Sequence, residues 1–144
     1  MLADIRIAAE GSQFGIPAAR LGVAYGYLGL KRLVSLVGPS RARLMMYTGM
    51  RIDAAEALRI GLVDQVVPHA DLRTHTRQLA QTILDNAPLS IAASKITIEQ
   101  ILRDPADRNM QAIDAINAQS ADSEDFCEGR RAFVERRKPI FRGH

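Results

Sequence analysis

Between Asp4 and Arg32 the sequence offers one carboxylate, Glu10, and no histidine or cysteine. Yet this stretch holds "FGIPAARLG" (residues 14–22) running into "VAYGYLGLKRL", which reads as the floor of an active site. Proton transfer by the usual side chains has little to draw on there. Other absences narrow the field further. The single cysteine, Cys127, excludes an internal disulfide and suits a reducing compartment, so a cytoplasmic location is expected. No apolar run approaches the length of a membrane span, so no membrane partner is expected. After Met1 there is no charged segment leading into a long apolar one, and a secretory leader is not expected. The histidines, His69, His75 and His144, are not spaced as metal ligands. Each falls in a predicted loop or on a polar helix face, so surface roles and no metal are expected. Cys127 has no histidine near it in sequence to make it a nucleophile.

What is present fits an ordinary globular chain. A length of 144 residues suits one domain, and 47% hydrophobic with 24% charged residues is typical of such proteins. The net charge of +3 is uneven: residues 128–144 carry six Arg or Lys against two Glu, and the remainder is close to neutral. A basic tail suits nucleic acid, an anionic membrane or a phosphorylated small molecule; the plainer reading is a solvated helix face.

Residues 4–9, "DIRIAA", alternate polar and apolar and predict a short strand ending at Glu10-Gly11, where a surface role for Glu10 is expected. "QFGIPAARLG" contains Gly and Pro, and predicts extended chain followed by loop. Residues 28–48 predict two short helices broken at Gly38-Pro39-Ser40. Asp53, Glu56 and Gly61 punctuate the next helix as N-cap, capping-box partner and stop. "LVDQVV" then predicts a strand closed by Pro68. Helices are predicted over residues 70–84 and 89–102. Residues 106–137 predict more helix with a break at 120–123, Ser123 capping the last one with Glu124 and Asp125 near its positive end. Strands first and helices after, with too few strands for a sheet, suggest a sheet whose other members lie elsewhere.

Four pieces in this order, "ADIRIAAEGSQFGIPAARLG", "GLKRLVSLVGPSRARLMMYTGMRIDAAEALRIGLVDQVVP", "NAPLSIAASK" and "SEDFCEGRRAFVERRKPIF", resemble the enoyl-CoA hydratase/isomerase (crotonase) family across the whole chain. The resemblance implies an α/β, crotonase-like (ClpP/crotonase) fold reduced to a few strands plus a C-terminal helical trimerisation region. It divides the chain into the end of the core, 1–68, and a helical oligomerisation region, 69–144. A full member is usually nearly twice as long, and its first half brings both oxyanion-hole amides. The chain therefore looks like the C-terminal half, beginning just after the family's glycine-rich segment. Losing even one such donor typically lowers the rate by about 10²–10³-fold, so impaired activity is expected.

In hydratases of the family the motif reads F-G-x-P-E, with the Glu as general acid/base. Here Ala18 stands in that place, and alanine moves no proton. By the same resemblance Phe14, Pro17 and Gly26 face the substrate. "LGVAY" is similar to a segment of the decarboxylase branch, whose Tyr contacts a substrate carboxylate. Tyr25 would be that residue; the competing reading packs Tyr25 and Tyr27 at a helix start. Residues matching Phe133 and Arg136 line the adenine end of coenzyme A at a neighbouring subunit, and the competing reading for Phe133 is packing. Arg137 and Lys138 would add positive potential. The implied partner is an acyl-CoA thioester, with coenzyme A as part of the substrate and no separate cofactor. A homo-oligomer, trimer or dimer of trimers, is implied, and nucleic acid is not expected. Three functions stay open: enolate-stabilising hydratase/isomerase chemistry on CoA thioesters, a decarboxylase-type acyl-CoA lyase using Tyr25, and a non-catalytic oligomerising fragment.

Overall fold

The computed structural model describes residues 3–144. Two compact units make up the chain, Met1–Arg77 and Gln78–His144.

In the first unit, strand β1 (Ile7–Ala9) pairs in parallel with β4 (Gln65–Val67), placing Ile7 opposite Gln65 and Ala9 opposite Val67. Arg6 and Asp64 set that register from just outside it. The Arg6 amide donates to Asp64 Oδ2 at 2.6 Å, the two side chains form an ion pair at 3.2 Å, and Arg6 Nε donates to the Leu62 carbonyl at 2.9 Å. The strand expected over residues 4–9 is confined to its second half, because this clamp holds the chain as a bend before Ile7.

A second two-stranded ladder was not legible. β2 (Gln13–Phe14) pairs antiparallel with β3 (Ile52–Asp53). Each strand is two residues long, too short to show a two-residue period. Helix α1 (Ala18–Leu21) occupies what the sequence predicts as loop. Pro17 argues from sequence against a regular helix, but it stands at the helix start, where its missing N–H leaves no bond unmade. Gly22, at φ 66°, ends the helix in the left-handed conformation.

Helix α2 (Tyr27–Thr48) carries the expected break: Gly38 lies at φ 75°, ψ 164°, a conformation open essentially to glycine alone, and Pro39 restarts the helix. Its inner face supplies Leu33, Val37, Ala42 and Met45 to a core shared with Ala8, Ala57, Leu62 and Val63. Helix α3 (Ala54–Arg59) begins as predicted, Asp53 accepting from the Glu56 amide at 2.8 Å. The reciprocal half of the capping box is replaced. Glu56 turns to Arg59, 2.6 Å away, and to Arg41, 3.7 Å away, since a guanidinium is a better partner for a carboxylate than a neutral amide. Gly61 follows at φ 78°. Residues 69–71 form a 3-10 turn before α4 (Leu72–Leu84). His75, expected at the surface, is half-buried and lies 2.6 Å from Gln65 Oε1, tying α4 to β4.

In the second unit, α5 (Pro88–Ile101) packs on α6 (Met110–Ala121). Asn109 caps α6 and donates its amide to the buried Gln100 side chain at 2.8 Å. Ser123 caps α7 (Glu124–Glu135) as predicted, accepting from the Phe126 amide at 3.1 Å. Among the described residues, no helix is long and apolar enough to cross a membrane.

Candidate functional site

The residues singled out by sequence fall into two places, one in each unit. In the first, β2 delivers Phe14, half-buried against the core. The chain then rises through Gly15 and Ile16 to Pro17, and Ala18 opens α1 almost fully buried, 4% exposed. Any side chain at 18 is thus placed inside the fold, and alanine contributes a methyl group there. α1 packs on α2, and between them runs the loop with Tyr25. Tyr25 is 43% exposed, its ring near Gly29, where a β-carbon would stand 3.6 Å from Cδ1. Gly26 is the N-cap of α2 in extended conformation, and a β-carbon added there would meet nothing within 4 Å. Tyr27 points outward, with the Lys31 ammonium 5.9 Å from its ring centre. Glu10 is exposed in the turn after β1. The stretch therefore presents phenols and backbone groups, with no buried carboxylate.

Beside it lies a cavity of about 350 Å³ that sequence reasoning missed, lined by Gln13, Gly15, Pro17, Arg20, Gly49 and Arg51. No carboxylate lines it. Arg20 reaches it by donating to the Thr48 carbonyl at 3.2 Å and passing its stem over Gly49, where a β-carbon would stand 3.1 Å from Cγ. The spacing of Arg20 and Gly49 carries no local signal; only the fold brings them together.

In the second unit, Phe133 is 85% exposed on α7, and Arg136 ends that helix at φ 52°. The tail beyond turns back along α7, guided by two acids whose roles were also missed. Glu128 accepts from Arg137 Nη1 at 2.6 Å and Nη2 at 2.9 Å, and from the Ile140 amide at 3.0 Å. The Arg137 guanidinium and, after it, the Ile140 amide hold the Glu128 carboxyl well below its usual range, at about 2. Asp125, read from sequence only as a charge favourable to the helix end, is buried and accepts from the Arg142 and Gly143 amides. Their separation of three residues on one helix face, ahead of a basic segment, was the available clue. Lys138 pairs with Asp85 at 2.6 Å. Cys127 is exposed. Among the described residues, no group of three or more His, Cys, Asp or Glu is placed to hold a metal ion.

Comparison with known proteins gives the context. The family model for enoyl-CoA hydratase/isomerase matches residues 1–144. A crotonyl-CoA hydratase of Syntrophomonas wolfei is 39% identical over 142 residues, 98% of this chain and 54% of its own. A carnitinyl-CoA dehydratase of Salmonella typhi is 35% identical over 147 residues, 99% of this chain and 56% of its own. Among solved structures, an enoyl-CoA hydratase/carnithine racemase from Magnetospirillum magneticum superposes with a TM-score of 0.88 at 30% identity, over 99% of this chain and 52% of that one. The chain spans about half the length of the curated relatives it matches.

Proposed function

This chain belongs to the enoyl-CoA hydratase/isomerase family and has its crotonase-like α/β fold, and from that premise we propose that it takes part in enolate-stabilising chemistry on acyl-CoA thioesters, of the lyase rather than the hydratase kind. The observation that carries the choice is Ala18. It occupies the buried head of α1, where hydration needs a carboxylate to move a proton, and Glu10, the acid nearest in sequence, is exposed on a turn. Loss of CO₂ from a malonyl-type thioester makes no such demand. The bond from the α-carbon to the carboxylate breaks, and its electron pair moves into the thioester as an enolate. Water then protonates the α-carbon. A phenol that donates a hydrogen bond to the carboxylate or the enolate supplies one of the donors this needs, and Tyr25, half-exposed ahead of α2, is that donor. Phe14, Pro17 and Gly26 shape the acyl side of the site, and Phe133 with Arg136 serves the adenine end of a coenzyme A held by a neighbouring subunit, through an aromatic face and a cation. Coenzyme A enters as part of the substrate.

The test pairs two substrates. The chain is expected to leave crotonyl-CoA unhydrated above background and to release CO₂ from a malonyl-type CoA thioester, with Tyr25→Phe slowing release. Equal turnover by wild type and Tyr25→Phe removes the lyase reading.

A second reading is favoured by the surface of the second unit, a module for assembly into a homo-oligomer such as a trimer. α6 and the part of α4 beyond Arg77 bury no residue, and Leu84, Ile98, Ile101, Leu102 and Met110 are each more than half exposed. Apolar area of this kind marks association surfaces. Self-association without turnover of any acyl-CoA is the outcome that selects this reading over the first.

A further inference from the structure

The cavity of about 350 Å³ in the first unit holds two arginines, Arg20 and Arg51, that the acyl-CoA chemistry does not use. Its volume lies in the range of small-ligand sites, roughly 300–1,000 Å³. The extended segment that builds one wall alternates in direction. Phe14 and Ile16 pack on the core and Ala18 is buried, while Gln13, Gly15 and Pro17 are exposed and line the cavity. The side chain of residue 18 and the cavity thus face opposite ways, and Pro17 alone figures in both this cavity and the acyl site.

No acid lines the cavity. Asp53, opposite Gln13 in the β2–β3 ladder, turns instead to the Glu56 amide at 2.8 Å. Arg51 has no hydrogen-bond or ion-pair partner among the described residues, and neither has the Gln13 side chain. Arg20 donates from Nε to the Thr48 carbonyl at 3.2 Å and keeps both terminal nitrogens open. Two cations at one cavity with no acid between them repel, and a bound anion turns that repulsion into attraction. The neighbouring glycines show that the arginine stems are placed. A β-carbon at Gly49 would stand 3.1 Å from Arg20 Cγ. One at Gly15 would stand 3.3 Å from Arg51 Cγ and 3.0 Å from the Met50 carbonyl. Gly49 is also required by its φ of 57°, but Gly15 is not at positive φ. Its missing side chain answers to the close approach of Arg51 and the Met50 carbonyl.

We propose that this cavity binds the phosphate of a small phosphate monoester, gripped by Arg20 and Arg51 with the Gln13 amide as a further donor. A carboxylate presents two oxygens, which one guanidinium fork satisfies. A phosphate monoester presents three terminal oxygens and up to two charges, which two forks and an amide match. The cavity is also roomier than a lone phosphate needs, which leaves space for the esterified part. The site does not depend on the acyl-CoA reading.

The test titrates the full chain with glycerol 3-phosphate by calorimetry, at low ionic strength held constant with chloride. Saturable binding is expected, tighter than that of inorganic phosphate and about ten-fold tighter than that of acetate. Arg51→Ala, at an exposed residue without partners, is expected to melt as wild type does in the absence of ligand and to bind about ten-fold more weakly. Arg20→Ala is expected to weaken binding to a similar degree. Arg51→Lys keeps the charge without the fork, and is expected to fall between wild type and Arg51→Ala. Arg131→Ala, on α7 in the second unit, is expected to change nothing. Absence of saturable binding by wild type, or unchanged binding by Arg51→Ala, overturns the proposal. So does loss of binding with Arg131→Ala, which would move the anion to the second unit. Acetate bound as tightly as glycerol 3-phosphate overturns the choice of phosphate, and inorganic phosphate bound more tightly overturns the choice of an ester.

Discussion

Asp53 ends β3 and starts α3 with one carboxylate oxygen 2.8 Å from the Glu56 amide. Its replacement by Ala removes that cap and leaves a first-turn donor without a protein partner. Asp53→Ala is therefore expected to destabilise the chain by about 1 kcal/mol, read from the midpoint of urea unfolding. Ala18 is a sharper case. Restoring the hydratase carboxylate by Ala18→Glu puts a charge where the present side chain is 4% exposed. Burial disfavours the ionised form, and a loss of stability on the order of 3 kcal/mol is expected by thermal melting. Both residues could be picked out from sequence, but for different reasons. Asp53 works through neighbours three residues away, whereas Ala18 draws notice only through resemblance, and its burial is a property of the folded chain.

At the scale of elements, α2 shows how punctuation becomes shape. Gly38 at φ 75°, ψ 164° and Pro39 divide the helix, and both parts feed Leu33, Val37, Ala42 and Met45 into one core. Gly38→Ala forces a β-carbon into a conformation it avoids and is expected to cost about 1–3 kcal/mol in chemical denaturation, although a β-carbon there would touch nothing within 4 Å. A loss well below that range would show that the break is not fixed by Gly38. Leu33, fully buried, is the large side chain whose removal leaves the most space. Leu33→Ala is expected to cost about 2–5 kcal/mol by the same measurement. The break was legible because Gly-Pro is a local signal. The β2–β3 ladder was not, since two-residue strands have no period to read.

Across the whole molecule, charge pairs distant in sequence close the structure. Glu128 is the clearest, its carboxyl lowered to about 2 by Arg137 and the Ile140 amide, with Arg131 adding to the field. A carboxyl depressed on folding binds protons more readily when unfolded. Its contribution is therefore complete above about pH 4.5 and declines as pH falls from there toward 2. Thermal melts across that window are expected to drop more steeply for wild type than for Glu128→Gln; parallel curves would show that the latch contributes nothing. The exposed apolar side chains of the second unit carry the other expectation. Light scattering should show association that grows with concentration, and a monomer at all concentrations would count against the assembly reading.

The sequence by itself determined where α3 and α7 start and where α2 breaks, which family the chain resembles, and that position 18 cannot move a proton. These are decided by residue type and by contacts within one turn of chain. Only the tertiary structure decided that Arg6 and Asp64, 58 residues apart, set the parallel register, that Arg20 meets Gly49 at a cavity, and that Asp125 and Glu128 bind the tail over α7. The physical reason is common to all three. Each contact depends on where distant backbone comes to lie, and no periodicity or local preference encodes that position until the core has closed.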